Sequence, residues 1–295
     1  MNYQKSLDEL LTSLMHEDGS DLHLGSGRKP AMRINGQLLF LVNQEVLTRD
    51  DMIGILSVLI GKDRTDKFLE EKEADFSYSF KGDTHLRGNA SFQRGQICIA
   101  LRLIPKAKSF EDLNLPPILA SFTQKNQGFF LCVGPVGQGK STTLSTMINM
   151  INKERAAHIV TIEDPIEFVY EPDKSIIDQR EVGDDTKDFS TALKAVFRED
   201  VNVIFVGEMR SPETIATAVT AAETGHLVFS TLHTNNAAQT IDRIIDSFPP
   251  SQQDQIRLQL SSSLLGVFSQ RLIPRISGGR IPAYELLINN NAVAN

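Results

Sequence analysis

Phe129-Phe130-Leu131-Cys132-Val133-Gly134-Pro135-Val136-Gly137-Gln138-Gly139-Lys140-Ser141-Thr142 is the stretch that decides the fold of this chain. Its second part, Gly134 to Thr142, fits the spacing GxxxxGK(S/T). The apolar run ahead of it has the character of a strand buried on both faces. Behind it, Leu144, Met147, Ile148 and Ile151 recur at helical spacing and form an apolar stripe. Strand, glycine-rich turn and helix together make an anion site. The glycines let backbone N–H groups turn inward with no Cβ in the way, and the helix adds its unpaired N-terminal donors and positive dipole end. Lys140 is then set to reach the β- and γ-phosphates, and the Ser141 hydroxyl to ligate Mg²⁺. Gly134, Pro135, Val136, Gly137, Gln138, Gly139, Lys140, Ser141 and Thr142 are therefore read as the binding loop for a nucleoside triphosphate.

The remaining 280 or so residues must build around that unit, and 295 residues suffice for one large or two medium domains. A hydrophobic content of 41% and a charged content of 23% describe an ordinary soluble protein. No run approaches the length of a membrane span, and Met1 to Ser6 lacks the apolar core of a signal peptide. The net charge of −7 argues against wholesale nucleic-acid binding. Cys98 and Cys132 both lie in apolar runs and read as reduced thiols of a cytoplasmic protein, with no four-cysteine zinc site.

The chain ahead of the loop reads as a small α+β domain. Ser6 and Glu9 suggest a capping box opening a helix to Met15, and Thr48 with Asp51 opens a second helix to Ile60. Strands are expected at Gly19–Leu24, in a hairpin turning at Asn35-Gly36, around Asp75 to Phe80, and from Leu86 to Leu103 with a break near Gly95. The boundaries predicted are a domain over 1–104, a linker over 105–117 marked by Pro105, Pro116 and Pro117, and an ATPase domain over 118–295. In the last of these, strands at Phe129–Val133, His158–Ile162, Val203–Val206 and Leu227–Leu232 alternate with helices, the signature of an α/β fold with a parallel sheet. One helix carries Phe189 to Phe197, and another starts at Ser211-Pro212-Glu213 and stops at Gly225. Ser251 to Gln270 reads as a long helix, followed by a hairpin over Arg271 to Leu287 turning at Ser277-Gly278-Gly279.

Hydrolysis needs an oriented water and a held metal as well as a loop. Val203-Ile204-Phe205-Val206-Gly207-Glu208 is an apolar strand running into a carboxylate, which makes Glu208 the candidate for the Mg²⁺ shell. His158-Ile159-Val160-Thr161-Ile162 also runs into acids. In open α/β sheets ligands sit at the carboxyl ends of strands, so an acid there faces Lys140 and can polarise the attacking water. The residues alone do not choose between Glu163, Asp164 and Glu167. His226 and His233 bracket the fourth strand, and the carboxyl-end position of His233 makes it the better candidate for sensing the γ-phosphate.

In these stretches the chain resembles the PilT-like branch of the type II/type IV secretion ATPase superfamily, the hexameric motors of type IV pili. The resemblance is carried by Ser20-Asp21-Leu22-His23-Leu24, Gln93-Arg94-Gly95, the loop itself, Thr161 to Phe168, Val206-Gly207-Glu208-Met209-Arg210, and Glu223-Thr224-Gly225-His226 through His233-Thr234-Asn235. It implies a RecA-like ATPase domain preceded by a PAS-like domain. It implies Glu163 as catalytic base, Glu208 as Walker B acid, and His226 and His233 as a histidine box. It further implies that Arg87 and Arg102 reach the nucleotide phosphates. The partners implied are five more copies of the chain in a homo-hexamer and an inner-membrane platform protein, with the motor cytoplasmic and docked at that membrane.

The chain departs from the family pattern at three places. Val136 and Gln138 stand where Thr and Ser are usual, and Asp200-Val201-Asn202 replaces an Asp-Pro-Asp run. The sequence also stops at Asn295, where relatives enter a C-terminal helical segment associated with retraction. Assembly and type II secretion motors usually carry a further N-terminal domain and a zinc insertion, which favours the retraction branch. Type IV secretion ATPases and RecA-like nucleic-acid translocases are the other readings.

Overall fold

The computed structural model describes residues 2–34, 36–82, 84–105, 107–209, 211–276 and 279–294. They fall into two compact units, Met1–Pro105 and Lys106–Asn295. Among the described residues no helix is long and apolar enough to cross a membrane.

The first unit contains α1 (Tyr3–His16), β1 (Gly19–Gly25), β2 (Ala31–Ile34), β3 (Gln37–Phe40), α2 (Arg49–Ile60), α3 (Lys62–Glu71), β4 (Glu73–Phe80), β5 (Thr84–Gln93) and β6 (Gln96–Leu103). The strands make one antiparallel sheet in the order β3-β2-β1-β6-β5-β4. Leu7, Leu10, Leu11 and Leu14 of α1 are all buried, as their spacing requires. The helix starts earlier than its Ser6 signal suggests, because the Asn2 side chain accepts from the Lys5 N–H and caps it first. The Thr48–Asp51 capping box of α2 forms as expected. Between β5 and β6, Arg94 and Gly95 both take positive φ, 52° and 77°, which gives the tight turn anticipated near Gly95. Asn35, half of the other expected turn, lies outside the described residues.

The second unit contains α4 (Phe110–Leu113), a 3₁₀ turn (Pro117–Leu119), α5 (Ala120–Thr123), β7 (Gly128–Val133), α6 (Lys140–Glu154), β8 (His158–Glu163), β9 (Ile176–Glu181), α7 (Phe189–Val196), β10 (Val203–Val206), α8 (Pro212–Glu223), β11 (Leu227–Leu232), α9 (Ala237–Asp246), α10 (Pro250–Ser263), β12 (Leu264–Pro274), β13 (Arg280–Ile288) and α11 (Asn291–Ala294). Its sheet runs β13-β12-β7-β11-β10-β8-β9 and is parallel except for β13. Every residue of β7, β10 and β11 is buried. Successive side chains go to opposite faces: Phe130, Phe205 and Phe229 join the core under α6, while Leu131, Ile204 and Val228 join the core under α7, α8 and α10. Leu144, Met147, Ile148 and Ile151 face the sheet, all fully buried.

Part of the linker expected over 105–117 is itself structured: Ser109 and Asp112 cap a helical turn, and Phe110 and Leu115 pack into the core under α6. One expectation needs correction. The long helix expected over Ser251–Gln270 ends at Ser263, and Leu264 to Gln270 is strand. Here β12 fills the slot between β7 and β13, and its ladder hydrogen bonds and burial outweigh local helix propensity. The hairpin that follows therefore pairs from Gly266↔Ile288 to Pro274↔Arg280. Ser277 and Gly278 of its turn lie outside the described residues.

Candidate active site

Parallel pairing brings four chain segments to one edge of the second sheet. Val133 is level with Leu232, and Val206 is level with Ser230 and Ile162. The loop after β7, the last residue of β8, the Gly207-Glu208 step after β10 and His233 after β11 thus leave the sheet side by side. They line a cleft of about 330 Å³ whose walls include Lys140, Ser141, Glu163, Glu167, Glu208 and His233.

The loop is built as its glycines allow. Gly134, Gly137 and Gly139 have φ of 145°, 73° and 78°. A Cβ on Gly134 would stand 2.3 Å from the Gln270 carbonyl oxygen, so only glycine fits where β12 crosses the loop. Lys140 is buried to 6% exposure, and its ammonium donates to the carbonyls of Gly134 at 2.9 Å and Pro135 at 3.0 Å. Burial pulls the ammonium below its usual range, against the opposing pull of Cys132, Glu208 and Glu167. Cys132 lies beneath it, pushed up to about 12 by burial. It is a neutral thiol of the core.

His233 connects the cation to the acid across the cleft. Its Nδ1 lies 3.2 Å from Lys140 Nζ and its Nε2 3.3 Å from Glu208 Oε1. An ammonium has no lone pair, so Nδ1 accepts and Nε2–H faces the carboxylate. Lys140, His233 and Glu208 thus form one chain of contacts along the wall of the cleft.

Glu163 is the acid that burial singles out among the three left open by sequence. It is 4% exposed at the end of β8. Burial pushes its carboxyl up from 4.5 to about 7, against hydrogen bonds from Thr161 Oγ1, the Glu167 N–H and Gln179 Nε2. The Thr161 bond is 2.7 Å, and the other two are 3.4 Å. With its folded value raised, Glu163 contributes stability fully below 4.5 and loses that contribution as pH rises through about 7. Asp164 and Glu167 line the same cleft.

The structure does not bring every candidate here. His226 precedes β11 at the opposite end of that strand from His233. Its Nδ1 lies 3.0 Å from the Ala221 carbonyl oxygen near the end of α8, and its ring meets Phe197 edge-on. Six residues of extended strand separate it from the cleft. Arg87 and Arg102 belong to the first unit, opposite each other on β5 and β6. Arg102 Nε donates to Asp21 Oδ1 at 2.8 Å while its side chain stays 72% exposed. Arg210 lies outside the described residues.

Sequence reasoning missed three polar residues that hold the site: Thr161, Gln179 and Gln270. Thr161 was findable, since residues two apart on a strand share a face and its hydroxyl therefore meets Glu163. Gln179 sits on β9, for which the sequence offers no apolar run, and its amide bonds both the Phe168 carbonyl and the Tyr170 N–H. Gln270 was hidden by the helix expected there.

A sequence model of the family described as "Type II/IV secretion system protein" matches residues 2–279. The type IV pilus retraction ATPase PilT of Pseudomonas aeruginosa is 42% identical over 290 residues, covering 98% of this chain and 84% of that protein. A crystal structure of the pilus retraction motor PilT with bound ADP superposes with a TM-score of 0.92 at 46% identity, over 97% of this chain and 84% of that one. The Legionella pneumophila ATPase DotB follows at a TM-score of 0.80 and 27% identity, over 98% and 82%. With a RecA-like α/β unit, a phosphate loop and two acidic strand ends at one sheet edge, the chain belongs to the type II/IV secretion system protein family, in its PilT-like branch.

Proposed function

We propose that the chain is an ATP-hydrolysing motor that powers type IV pilus retraction. The observation that carries this reading is its 42% identity, across 98% of its length, to the retraction ATPase PilT. On the same footing we infer a cytoplasmic homo-hexamer that works against an inner-membrane platform protein. For Arg87 and Arg102 we keep the role of phosphate-clamping arginines, a task their planar, always-charged forks suit.

The chemistry follows from the cleft. On binding a triphosphate, Lys140 exchanges the Gly134 and Pro135 carbonyls for phosphate oxygens. His233, already in contact with Lys140 and Glu208, is placed to report whether a γ-phosphate is there. Among the described residues no cluster of three or more His, Cys, Asp or Glu could hold a metal ion unaided. Ser141 and Glu208, which share the cleft, suit Mg²⁺, which takes one or two protein oxygens and completes its shell with phosphates and water. When bound, Mg²⁺ neutralises charge on the β- and γ-oxygens. Glu163 orients the attacking water and accepts its proton, and a carboxyl that burial raises to about 7 is matched to that work at neutral pH.

A pH profile tests the assignment of the base. Only the ionised carboxylate accepts a proton, so kcat/KM for ATP should climb about tenfold per pH unit below about 7 and level off above it. A profile flat from pH 5.5 to 8 would remove Glu163 from that role. The cellular function is tested by deleting the gene, counting surface pili and scoring twitching. Excess pili without motility is the expected outcome. Loss of pili would instead mean assembly, and no change would place the chain outside pilus biology.

A further inference from the structure

Strand β12 pairs with β7 as far as Ser269↔Val133, where β7 gives way to the phosphate loop. The next residue, Gln270, continues the contact with its side chain. It is 2% exposed, and both ends of its amide are used. Oε1 accepts from Thr143 Oγ1 at 2.7 Å, and Nε2 donates to the Gln138 carbonyl oxygen at 2.7 Å. Gln138 answers from the loop, its Oε1 accepting the Leu272 N–H at 2.7 Å. Each glutamine side chain thus binds the backbone of the other's segment.

This exchange bears on how the loop presents its donors. The carbonyls of Gly134 and Pro135 accept from Lys140, and that of Gly139 from the Thr143 N–H at 3.0 Å. The Gln138 carbonyl is held by Gln270. In a planar trans peptide the carbonyl and the following N–H point opposite ways. Anchoring the Gln138 carbonyl on β12 therefore aims the Gly139 N–H away from β12. Gly137 and Gly139, on either side, have no Cβ to restrict them, so the loop's shape must be imposed from outside.

We propose that Gln138 and Gln270 act as one clamp that holds the phosphate loop in its anion-binding shape before nucleotide arrives. They are positioning residues for triphosphate binding. The inference rests on the reading that this loop binds ATP. A serine at position 138 would be too short to reach the Leu272 N–H that Gln138 Oε1 accepts at 2.7 Å.

The test is calorimetric titration of ADP with Mg²⁺ into the wild type, Gln138→Ser, Gln270→Met and the double variant, with steady-state ATPase kinetics on the same four proteins. Each single change should weaken ADP binding roughly three- to tenfold. The double variant should be about as weak as the worse single, since the two bonds form one unit. KM for ATP should rise by the same factor, with a smaller fall in kcat, whereas a general loss of stability would lower the thermal midpoint without that split. Equal ADP affinity in wild type and Gln138→Ser would overturn the clamp, as would losses that simply add. If Gln270→Met does not fold, Gln138→Ser at its half-buried position decides alone. A wild type that binds no nucleotide would instead sink the ATP reading, and the clamp with it.

Discussion

Glu163→Gln should bind ATP with near wild-type affinity and hydrolyse it roughly 10²–10⁴ times more slowly. The amide has the size of the carboxylate and leaves a carbonyl oxygen to accept the 2.7 Å bond from Thr161 Oγ1. What is lost is the ability to take a proton. The change also removes an acid that is buried to 4% exposure and raised to about 7, so the variant should melt higher than wild type at pH 8. Slower turnover with a higher melting temperature separates a lost base from a damaged fold. If Glu163→Gln hydrolyses normally and Glu208→Gln does not, the base has been assigned to the wrong strand.

Lys140→Ala should lose nucleotide binding, with affinity falling at least about a hundredfold, or roughly 3 kcal/mol. The ammonium donates to both the Gly134 and Pro135 carbonyls, and its contact with His233 extends to Glu208. Its removal takes the cation from the triphosphate and leaves two loop carbonyls without that donor. Titration of ATP into the variant, with its circular dichroism matched to wild type, checks the effect. Retained tight binding would contradict the assignment of the loop.

The two predictions draw on parts of the site that differ in how far sequence alone reveals them. Lys140 and its loop are legible because the constraint is local: glycines, a lysine and a hydroxyl at fixed spacing between a strand and a helix. The strand ends carrying Glu208 and His233 are legible for a related reason, since fully buried parallel strands are continuous apolar runs whose ends show. Glu163 is different. Its rank over Asp164 and Glu167 comes from burial, which depends on how the segment after β8 folds back onto Gln179. Strand β9 itself is short and polar, and only pairing with β8 makes it a strand. Leu264 to Gln270 fails for the opposite reason: its local pattern permits a helix, and the slot between β7 and β13 decides otherwise. Phe110 looked like part of a linker because Pro105, Pro116 and Pro117 flank its neighbourhood, and its burial is visible only once α6 is in place. His226 and His233 bracket β11, and because ligands of such sheets sit at the carboxyl ends of strands, their order along the chain already marks His233 as the one beside the loop.

The account turns on where a triphosphate goes when it meets this chain. A crystal structure with Mg²⁺ and a non-hydrolysable ATP analogue is the direct measurement. It should show Lys140 Nζ moved from the Gly134 and Pro135 carbonyls onto the β- and γ-phosphates, with Ser141 and Glu208 on the metal side and Glu163 facing the γ-phosphorus through a water. An analogue seated elsewhere, with Lys140 still bound to those carbonyls, would contradict it.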